Sequence, residues 1–403
     1  MKKAPSRKYG DNYKWLICAG ATMLMFCITG LCISAFSVYL PYIREANQFS
    51  ATETNLIVTC RTFSQLAGLA VVGRYYQRFK LRLGAALTAV GVGIGFVLYG
   101  FAQTHTAYYA IAIGFGFVCG LGSTASSLAI SEWFRENKAT ALGICAAGTG
   151  LATVVTPVVV ATLVRHYSLR AAFCAEGGFV LLVAVFVFLI FRENPETSAA
   201  PGAAGKASSE GADRSAYALP GSSAALITGG AFLVGLAVFG ITGGLPQLFR
   251  DYYDEVVSSL LASAFGAALL AGKLICGRLT DKLGIFRANY IFYGCVVAGG
   301  MGTFFAKQSL PLLVVSIIAL GVGSSLSTVS VPFYASEFCV PGRYVDALRR
   351  FSIAQTVGGL LISYITGIMA DTTGNNSLLF LLVAALTLVS AIMVQTVCRR
   401  KEA

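Results

Sequence analysis

Long apolar stretches recur along the whole chain, and they restrict its possible folds more than any other feature. The chain has 403 residues, of which 56% are hydrophobic and 12% are charged. A soluble protein cannot bury that much apolar surface behind so few charged side chains. About 20 apolar residues cross a bilayer as a helix. Twelve stretches of roughly that length occur, at 15–42, 51–74, 83–103, 107–132, 138–164, 170–192, 222–248, 256–278, 286–306, 310–335, 346–370 and 376–398. The sequence therefore predicts an all-α membrane protein with twelve transmembrane helices.

The basic residues are distributed unevenly between the predicted loops. The net charge of +12 would suggest a nucleic-acid partner in a soluble chain. If the N-terminus is cytoplasmic, however, 23 of the 30 Lys and Arg residues fall in cytoplasmic segments and five in outer segments. Basic loops stay in the cytoplasm during insertion. We therefore expect cytoplasmic termini, a multi-pass protein of the cytoplasmic (plasma or inner) membrane, and no nucleic-acid partner.

The chain divides into two similar halves. Residues 193–221 are rich in Ala, Gly, Ser and Pro, a composition typical of a flexible linker. Short motifs repeat between the halves at a spacing of about 204 residues, for example GRYYQR at 73–78 and GRLTDK at 277–282. Six spans per half is an even number, which gives the parallel repeat of two-bundle transporters. The predicted organisation is a tail (1–14), a six-helix bundle (15–192), the linker (193–221), a second bundle (222–398) and a tail (399–403).

These features resemble the major facilitator superfamily over nearly the whole chain. The signature of that family is G-x-x-x-D-[RK]-x-G after spans 2 and 8. The second copy here retains its main residues: Gly277, Asp281, Lys282 and Gly284. The first copy keeps Gly73 and Arg78 but has Gln77 in place of the acid. The resemblance implies the major facilitator fold and a cytoplasmic latch in these loops, weaker in the first half.

A second resemblance is narrower. The stretch SEWFRENKATALGICAAGTG at 131–150 and DTTG at 371–374 are similar to the monocarboxylate porter and oxalate:formate antiporter group. The resemblance implies a secondary transporter for a small carboxylate that works by alternating access.

Two cations lie within predicted spans, where each costs roughly 2.5–3.5 kcal/mol at the centre of a helix. Arg61 is near the middle of span 2, on the same helix face as Gln65. We expect this polar face to turn inward and bind substrate. The alternative is a structural pairing of Arg61 with a carboxylate or with backbone carbonyl groups.

Lys273 is four residues before Gly277, so its aliphatic stem could reach the cytoplasmic surface. Helical side chains tilt toward the helix N-terminus, however, and span 8 is predicted to run toward the cytoplasm. Lys273 should therefore lean toward the membrane centre. In the porters named above, a cation at this place in span 8 is a ligand of the substrate carboxylate, and the resemblance implies that role for Lys273.

Weaker candidates complete the predicted site. Tyr39, Ser324 and Tyr334 are expected to line the cavity by family position, although packing of polar groups between helices explains them equally well. Glu176 is the acid deepest in a predicted span. It could carry a coupling proton or pair with another charge.

We expect a monomeric secondary transporter of a mono- or dicarboxylate, working as an antiporter or as a proton symporter. The alternatives are proton-coupled efflux of a drug-like or apolar compound and a membrane sensor that does not transport. The chain shows no nucleophile–base arrangement, no nucleotide motif that would supply ATP, and no His, Cys or carboxylate cluster with metal-ligand spacing. We therefore expect no enzyme activity, no cofactor and no metal.

Overall fold

The computed structural model describes residues 13–192, 221–305, 309–339, 343–373 and 377–402. The regular structure of these residues is helical. The first half contains α1 (Tyr13–Met25), a π-helical segment (Phe26–Ser34), a 3-10 turn (Phe36–Tyr39), α2 (Leu40–Asn47), α3 (Ala51–Arg78), α4 (Leu81–Tyr99), α5 (His105–Gly122), α6 (Ala125–Trp133), α7 (Lys138–His166) and α8 (Leu169–Ile190). The second half contains α9 (Gly221–Tyr252), α10 (Glu255–Phe305), α11 (Leu310–Gly323), a 3-10 turn (Ser324–Ser327), α12 (Ser330–Phe338), α13 (Tyr344–Thr373) and α14 (Leu378–Glu402).

The helices confirm a multi-pass membrane protein. Ten helical stretches among the described residues are long and apolar enough to cross a bilayer. One of them, Leu260–Phe305, has 46 residues, which is about twice the length of one crossing. The backbone of α10 breaks inside it at Gly284, where φ is 79° and ψ is 162°. The break divides α10 into a first part and a second part. Helix α13 is not among the ten, so the count of twelve spans remains a prediction.

Helix boundaries follow local capping chemistry. Ser50 and Glu53 form a capping box at the start of α3, and Ser168 accepts from the amide of Ala171 at the start of α8. Such side chains satisfy the amides that a first helical turn leaves without partners. Gly284 takes a positive φ that other residues adopt with strain. The chain can therefore turn there between the two parts of α10.

Three predicted spans are interrupted. In span 1 the π-helical segment and the 3-10 turn separate α1 from α2. Span 4 breaks between α5 and α6, and span 10 breaks at the 3-10 turn between α11 and α12. Spans 4 and 10 occupy corresponding places in the two halves. Interrupted membrane helices leave backbone carbonyl groups free for other partners, and they are frequent at functional sites.

Two pairs of helices make the largest contacts between the halves. Within the first half α3 packs on α5 and α4 on α8, and within the second half α9 packs on α13 and α14. Between the halves, α7 lies along α10 and α3 contacts α13. Helix α7 and the first part of α10 are predicted spans 5 and 8, and α3 and α13 are predicted spans 2 and 11. Because span 5 matches span 11 and span 2 matches span 8 in the repeat, the two contacts correspond to each other. All eleven cysteines are free.

The predicted tail 1–14 and linker 193–221 lie outside the described residues, except for Tyr13, Lys14 and Gly221. The domain boundaries in these segments stay predictions.

Candidate functional site

Lys273 lies where the two halves are in closest contact. Glycines bring the backbones of α7 and α10 together there. A Cβ atom at Gly143 would lie 2.5 Å from the carbonyl oxygen of Lys273. A Cβ atom at Gly277 would collide with the carbonyl oxygen of Ala139. Only residues without a Cβ allow so close a crossing, so the side chain of Lys273 starts inside a tightly packed interface.

The ammonium group of Lys273 points toward the middle of the membrane. It donates a hydrogen bond to the hydroxyl oxygen of Thr149 on α7. Thr149 lies six residues beyond Gly143, or about 9 Å along the helix axis, in the direction away from the predicted cytoplasmic end. Lys273 is only 3% exposed. The side chain therefore leans as the tilt of helical side chains predicts, and it does not snorkel to the surface.

Among the described residues, the partner of the Lys273 ammonium is a neutral hydroxyl group. Thr149 donates its own hydroxyl proton to the carbonyl oxygen of Ala146 at 2.9 Å, which leaves a lone pair for Lys273. Within the described part of the chain, no carboxylate oxygen lies within 4.0 Å of the ammonium. Burying a charge is costly unless a counter-charge accompanies it, and the described surroundings supply none.

Arg61 lies inside the first half. Its guanidinium donates to the carbonyl oxygen of Cys32 in the π-helical segment and lies over the ring of Phe36, with 5.5 Å from Cζ to the ring centroid. Its backbone packs against Gly116. The Nε atom is buried, and among the described residues it has no hydrogen-bond partner. These contacts match the alternative in which Arg61 pairs with backbone carbonyl groups.

The structure places Arg61 and Lys273 in separate surroundings and gives no contact between them. Arg61 contacts span 1, whereas Lys273 contacts span 5. Gln65 is buried one turn from Arg61, and its carbonyl oxygen lies against Gly120.

Tyr39 and Glu176 form a buried pair in the first half. The ring of Tyr39 stacks on Phe173 at 4.1 Å, and its hydroxyl faces the carboxyl group of Glu176 one turn further along α8. Both side chains are buried, at 0% and 7% exposed. The Tyr39 hydroxyl and Glu176 Oε2 lack hydrogen-bond partners among the described residues. The carboxyl group of Glu176 therefore has the Tyr39 hydroxyl as its polar neighbour.

The two candidate side chains of the second half, Tyr334 and Ser324, form hydrogen bonds with residues of the same half. Tyr334 donates to the Oδ1 atom of Asn289 at 2.5 Å. Ser324 begins the 3-10 turn and donates to the carbonyl oxygen of Leu320 at 2.7 Å. Both side chains are almost fully buried. They are satisfied by neighbours in their own half, whereas Lys273 is paired across the interface.

Sequence reasoning missed two partners, Thr149 and Asn289. Thr149 stands within AAGTG at 146–150, a stretch that carried the resemblance to monocarboxylate porters through its small residues. A hydroxyl on the span facing Lys273 could have been found from that motif. No sequence motif pointed to Asn289, since its hydrogen bond with Tyr334 forms only when α10 and α12 pack together.

Asp281 connects the halves on the predicted cytoplasmic side. Its carboxylate accepts hydrogen bonds from the backbone amides of Ala139 at 3.1 Å and Thr140 at 2.6 Å. These amides belong to the first turn of α7, where the helix dipole favours a negative charge. A carboxylate of the second half therefore caps a helix of the first half. Lys282 is exposed beside it.

The corresponding contact between α3 and α13 is built differently. Gly73 lies beside Asp346, and Arg349 donates to the carbonyl oxygen of Ala70 at 3.2 Å. Arg349 also forms a 3.5 Å ion pair with Asp346 on its own helix. Arg78 and the neighbouring Gln77, which replaces the signature acid, are exposed. The helix cap formed by Asp281 is therefore not repeated by residue 77.

Replacing Asp281 with alanine should open this contact. Two hydrogen bonds to a charged acceptor contribute roughly 1.5–3 kcal/mol each, so the amides of Ala139 and Thr140 should exchange hydrogen at least tenfold faster. Hydrogen exchange measured by mass spectrometry checks this. Asp254→Ala is the matched control, because Asp254 accepts a hydrogen bond from the backbone amide of Val257 at the start of α10. Unchanged exchange at the start of α7 would contradict a role for Asp281 in holding the halves together.

Comparison with known proteins gives sequence relatives along the chain. The family model described as Major Facilitator Superfamily matches residues 22–339 and 227–403. Monocarboxylate transporter 12 of Mus musculus is 25% identical over an alignment 420 residues long, gaps included. The alignment covers 95% of this chain and 85% of the relative. Monocarboxylate transporter 12-B of Danio rerio is 32% identical over 182 residues, which cover 43% of this chain and 36% of the relative.

A solved structure shares the fold. The chain superimposes on the proton:xylose symporter XylE with a TM-score of 0.76, at 15% sequence identity and with 95% of each chain covered. At that identity the likeness concerns the arrangement of the helices and carries no information about the ligand.

Proposed function

The chain belongs to the major facilitator superfamily, and from this premise we propose that it moves a small organic anion, a mono- or dicarboxylate, across the cytoplasmic membrane by alternating access. Membership in the family makes it a membrane transporter of a small molecule. We choose an anion because Lys273 is a buried cation between the halves and its described partner is a neutral hydroxyl.

In the proposed mechanism a substrate carboxylate replaces Thr149 as the partner of the Lys273 ammonium. The carboxylate adds the attraction of an opposite charge, which the neutral hydroxyl of Thr149 lacks and which is stronger in a low-dielectric interior than in water. This attraction offsets part of the cost of burying the cation. Because Thr149 and Lys273 belong to different halves, binding also breaks a hydrogen bond across the interface. Occupation of the site is thereby coupled to the movement of the halves.

Two further findings support the proposal. Several of the relatives are named monocarboxylate transporters. The contacts of Asp281 with α7 and of Arg349 with α3 join the halves on the side predicted to be cytoplasmic. In the proposed cycle these contacts break when the site opens to the cytoplasm, and Tyr39, Gln65, Ser324 and Tyr334 remain candidates for lining the cavity.

The direct test is uptake by the purified protein in proteoliposomes. A radiolabelled short-chain monocarboxylate outside, with the same unlabelled acid inside, should accumulate transiently by exchange. Transport of drug-like compounds without exchange of any acid would instead support the efflux alternative. Binding of an acid without any flux would support a sensor. A panel of mono- and dicarboxylates then identifies the preferred chain length.

Glu176 is the candidate residue for proton coupling. We propose that this buried carboxyl carries the coupling proton if the protein is a symporter. Glu176→Gln should then abolish accumulation driven by a pH gradient, while exchange of substrate at equal pH persists. Glu136→Gln, at an exposed acid, is the control. Equal pH-driven accumulation by both variants would remove Glu176 from the coupling mechanism.

A further inference from the structure

A groove lies between the second part of α10 and α14 on the outer surface of the second half. The two helices touch at one end, where Gly300 would place a Cβ 2.8 Å from the carbonyl oxygen of Phe380. At the predicted cytoplasmic end Gln395 donates across the groove to the carbonyl oxygen of Phe286 at 2.9 Å, and between these contacts Gly294 has nothing within 4 Å of its Cβ position. The space between them is about 530 Å³.

The matching helices of the first half pack closely in their middle. In the predicted repeat, α4 corresponds to the second part of α10, and α8 corresponds to α14. Gly93 and Gly177 bring α4 and α8 together, with a Cβ at Gly177 only 2.8 Å from the carbonyl oxygen of Gly93. The Cβ position of Gly294 in the second half has no such close neighbour.

The groove is apolar along its length. Side chains that face outward from its walls are hydrophobic and exposed, at 45% for Met301, 52% for Leu388 and 60% for Ile392. Exposed apolar residues on a membrane-spanning helix contact lipid chains. Leu388 and Arg399 are eleven residues apart, or about 16 Å along the axis. That length matches one leaflet, which is half of a hydrocarbon core about 30 Å thick.

The cytoplasmic end of the groove carries cations. Arg399 is exposed, and its guanidinium donates to the hydroxyl oxygen of Tyr290 on the opposite wall at 3.2 Å. Arg287 is exposed three residues before Tyr290, on the same helix face as Gly294. The pair supplies two positive charges at the depth of the lipid phosphates. Gln395 lines the same end, and its buried Oε1 has no hydrogen-bond partner among the described residues.

We propose that this groove binds one anionic phospholipid of the predicted cytoplasmic leaflet. An acyl chain lies between the second part of α10 and α14, and Arg287 and Arg399 bind the phosphodiester. Phosphate oxygens accept strong hydrogen bonds from arginine, and anionic headgroups are attracted to cations at the cytoplasmic surface. This site does not depend on the identity of the transported substrate.

The test compares lipid retention by native mass spectrometry. Purified protein is incubated with equal amounts of phosphatidylglycerol and phosphatidylcholine of the same chain length. The wild type should retain one phosphatidylglycerol with at least a fivefold preference. The double variant Arg287→Ala/Arg399→Ala should lose the preference, and Gly294→Leu, which fills the groove, should lose retention of that lipid altogether.

Arg82→Ala is the matched control, because Arg82 lies over the ring of Phe188 at 4.3 Å on the corresponding helices of the first half. It should retain the wild-type preference. Equal retention of both lipids by the wild type, or an unchanged preference in the double variant, would overturn the proposal. Displacement by free glycerol phosphate at the same concentration would also overturn it, since binding would then not need the acyl chain.

Discussion

Lys273→Met will abolish carboxylate binding and, in the absence of substrate, make the protein more stable. Methionine keeps the apolar stem and removes the charge. Loss of one partner from a buried, hydrogen-bonded charge pair costs 2–5 kcal/mol. At about 1.4 kcal/mol per tenfold change, uptake of the acid should fall by a factor of roughly 30 to 4,000. Without substrate, removal of a buried cation that lacks a counter-charge should raise stability by about 1–3 kcal/mol.

The two effects are measured separately. Thermal unfolding in detergent, with and without a panel of organic acids, reports binding because a ligand of the folded state raises its stability. Proteoliposome uptake reports transport. Lys273→Arg keeps the charge and should retain partial uptake with an altered acid preference, since guanidinium binds a carboxylate through two parallel hydrogen bonds.

Lys282→Ala provides the control, because it removes an exposed cation from the same helix. It should leave stabilisation by the acid unchanged. If an acid stabilises Lys273→Met as strongly as the wild type, Lys273 is not the carboxylate ligand. Transport of drug-like compounds by that variant would then favour the efflux alternative.

Gly277→Leu will stop the transport cycle without preventing folding. A Cβ there would collide with the Ala139 carbonyl oxygen and lie 3.0 Å from Thr140 Cα. Backbone atoms of a helix cannot move aside, so α10 and α7 must separate at the predicted cytoplasmic end. The substituted protein should remain folded because this contact joins the halves and is not part of either half's own core. Uptake should fall to below about one hundredth of the wild-type rate, since 3 kcal/mol of overpacking corresponds to roughly that factor.

Spin labels at Arg78 and Lys282 give the structural readout. Both residues are exposed, and each belongs to a different half. In Gly277→Leu the measured distance distribution should shift to longer values than in the wild type. Gly178→Leu is the control, because its Cβ position has nothing within 4 Å. Unchanged distances in Gly277→Leu, or normal uptake, would show that the close crossing is not needed for the cycle.

Composition and local pattern were enough to predict the class of protein. Apolar stretches of bilayer length, the uneven distribution of basic residues and the repeated loop motifs each depend on short segments. Because a lipid environment forces every span to satisfy its own backbone hydrogen bonds, the helices could be predicted with no knowledge of their packing. The direction of Lys273 followed in the same way from the tilt of side chains on a helix of known orientation.

The partners of the buried polar groups depended on the tertiary structure. The amino-acid sequence does not show that Lys273 meets Thr149, that Asp281 caps α7, or that Arg61 binds the Cys32 carbonyl group. The last contact exists because a π-helical segment interrupts span 1, where an unbroken apolar helix was expected. The sequence by itself predicted the membrane-spanning segments, since each crossing is a local balance between apolar area and backbone hydrogen bonding. Only the tertiary structure decided which groups the buried and interface charges contact, since the partners of Lys273 and Asp281 lie more than a hundred positions away and that of Arg61 lies on another span.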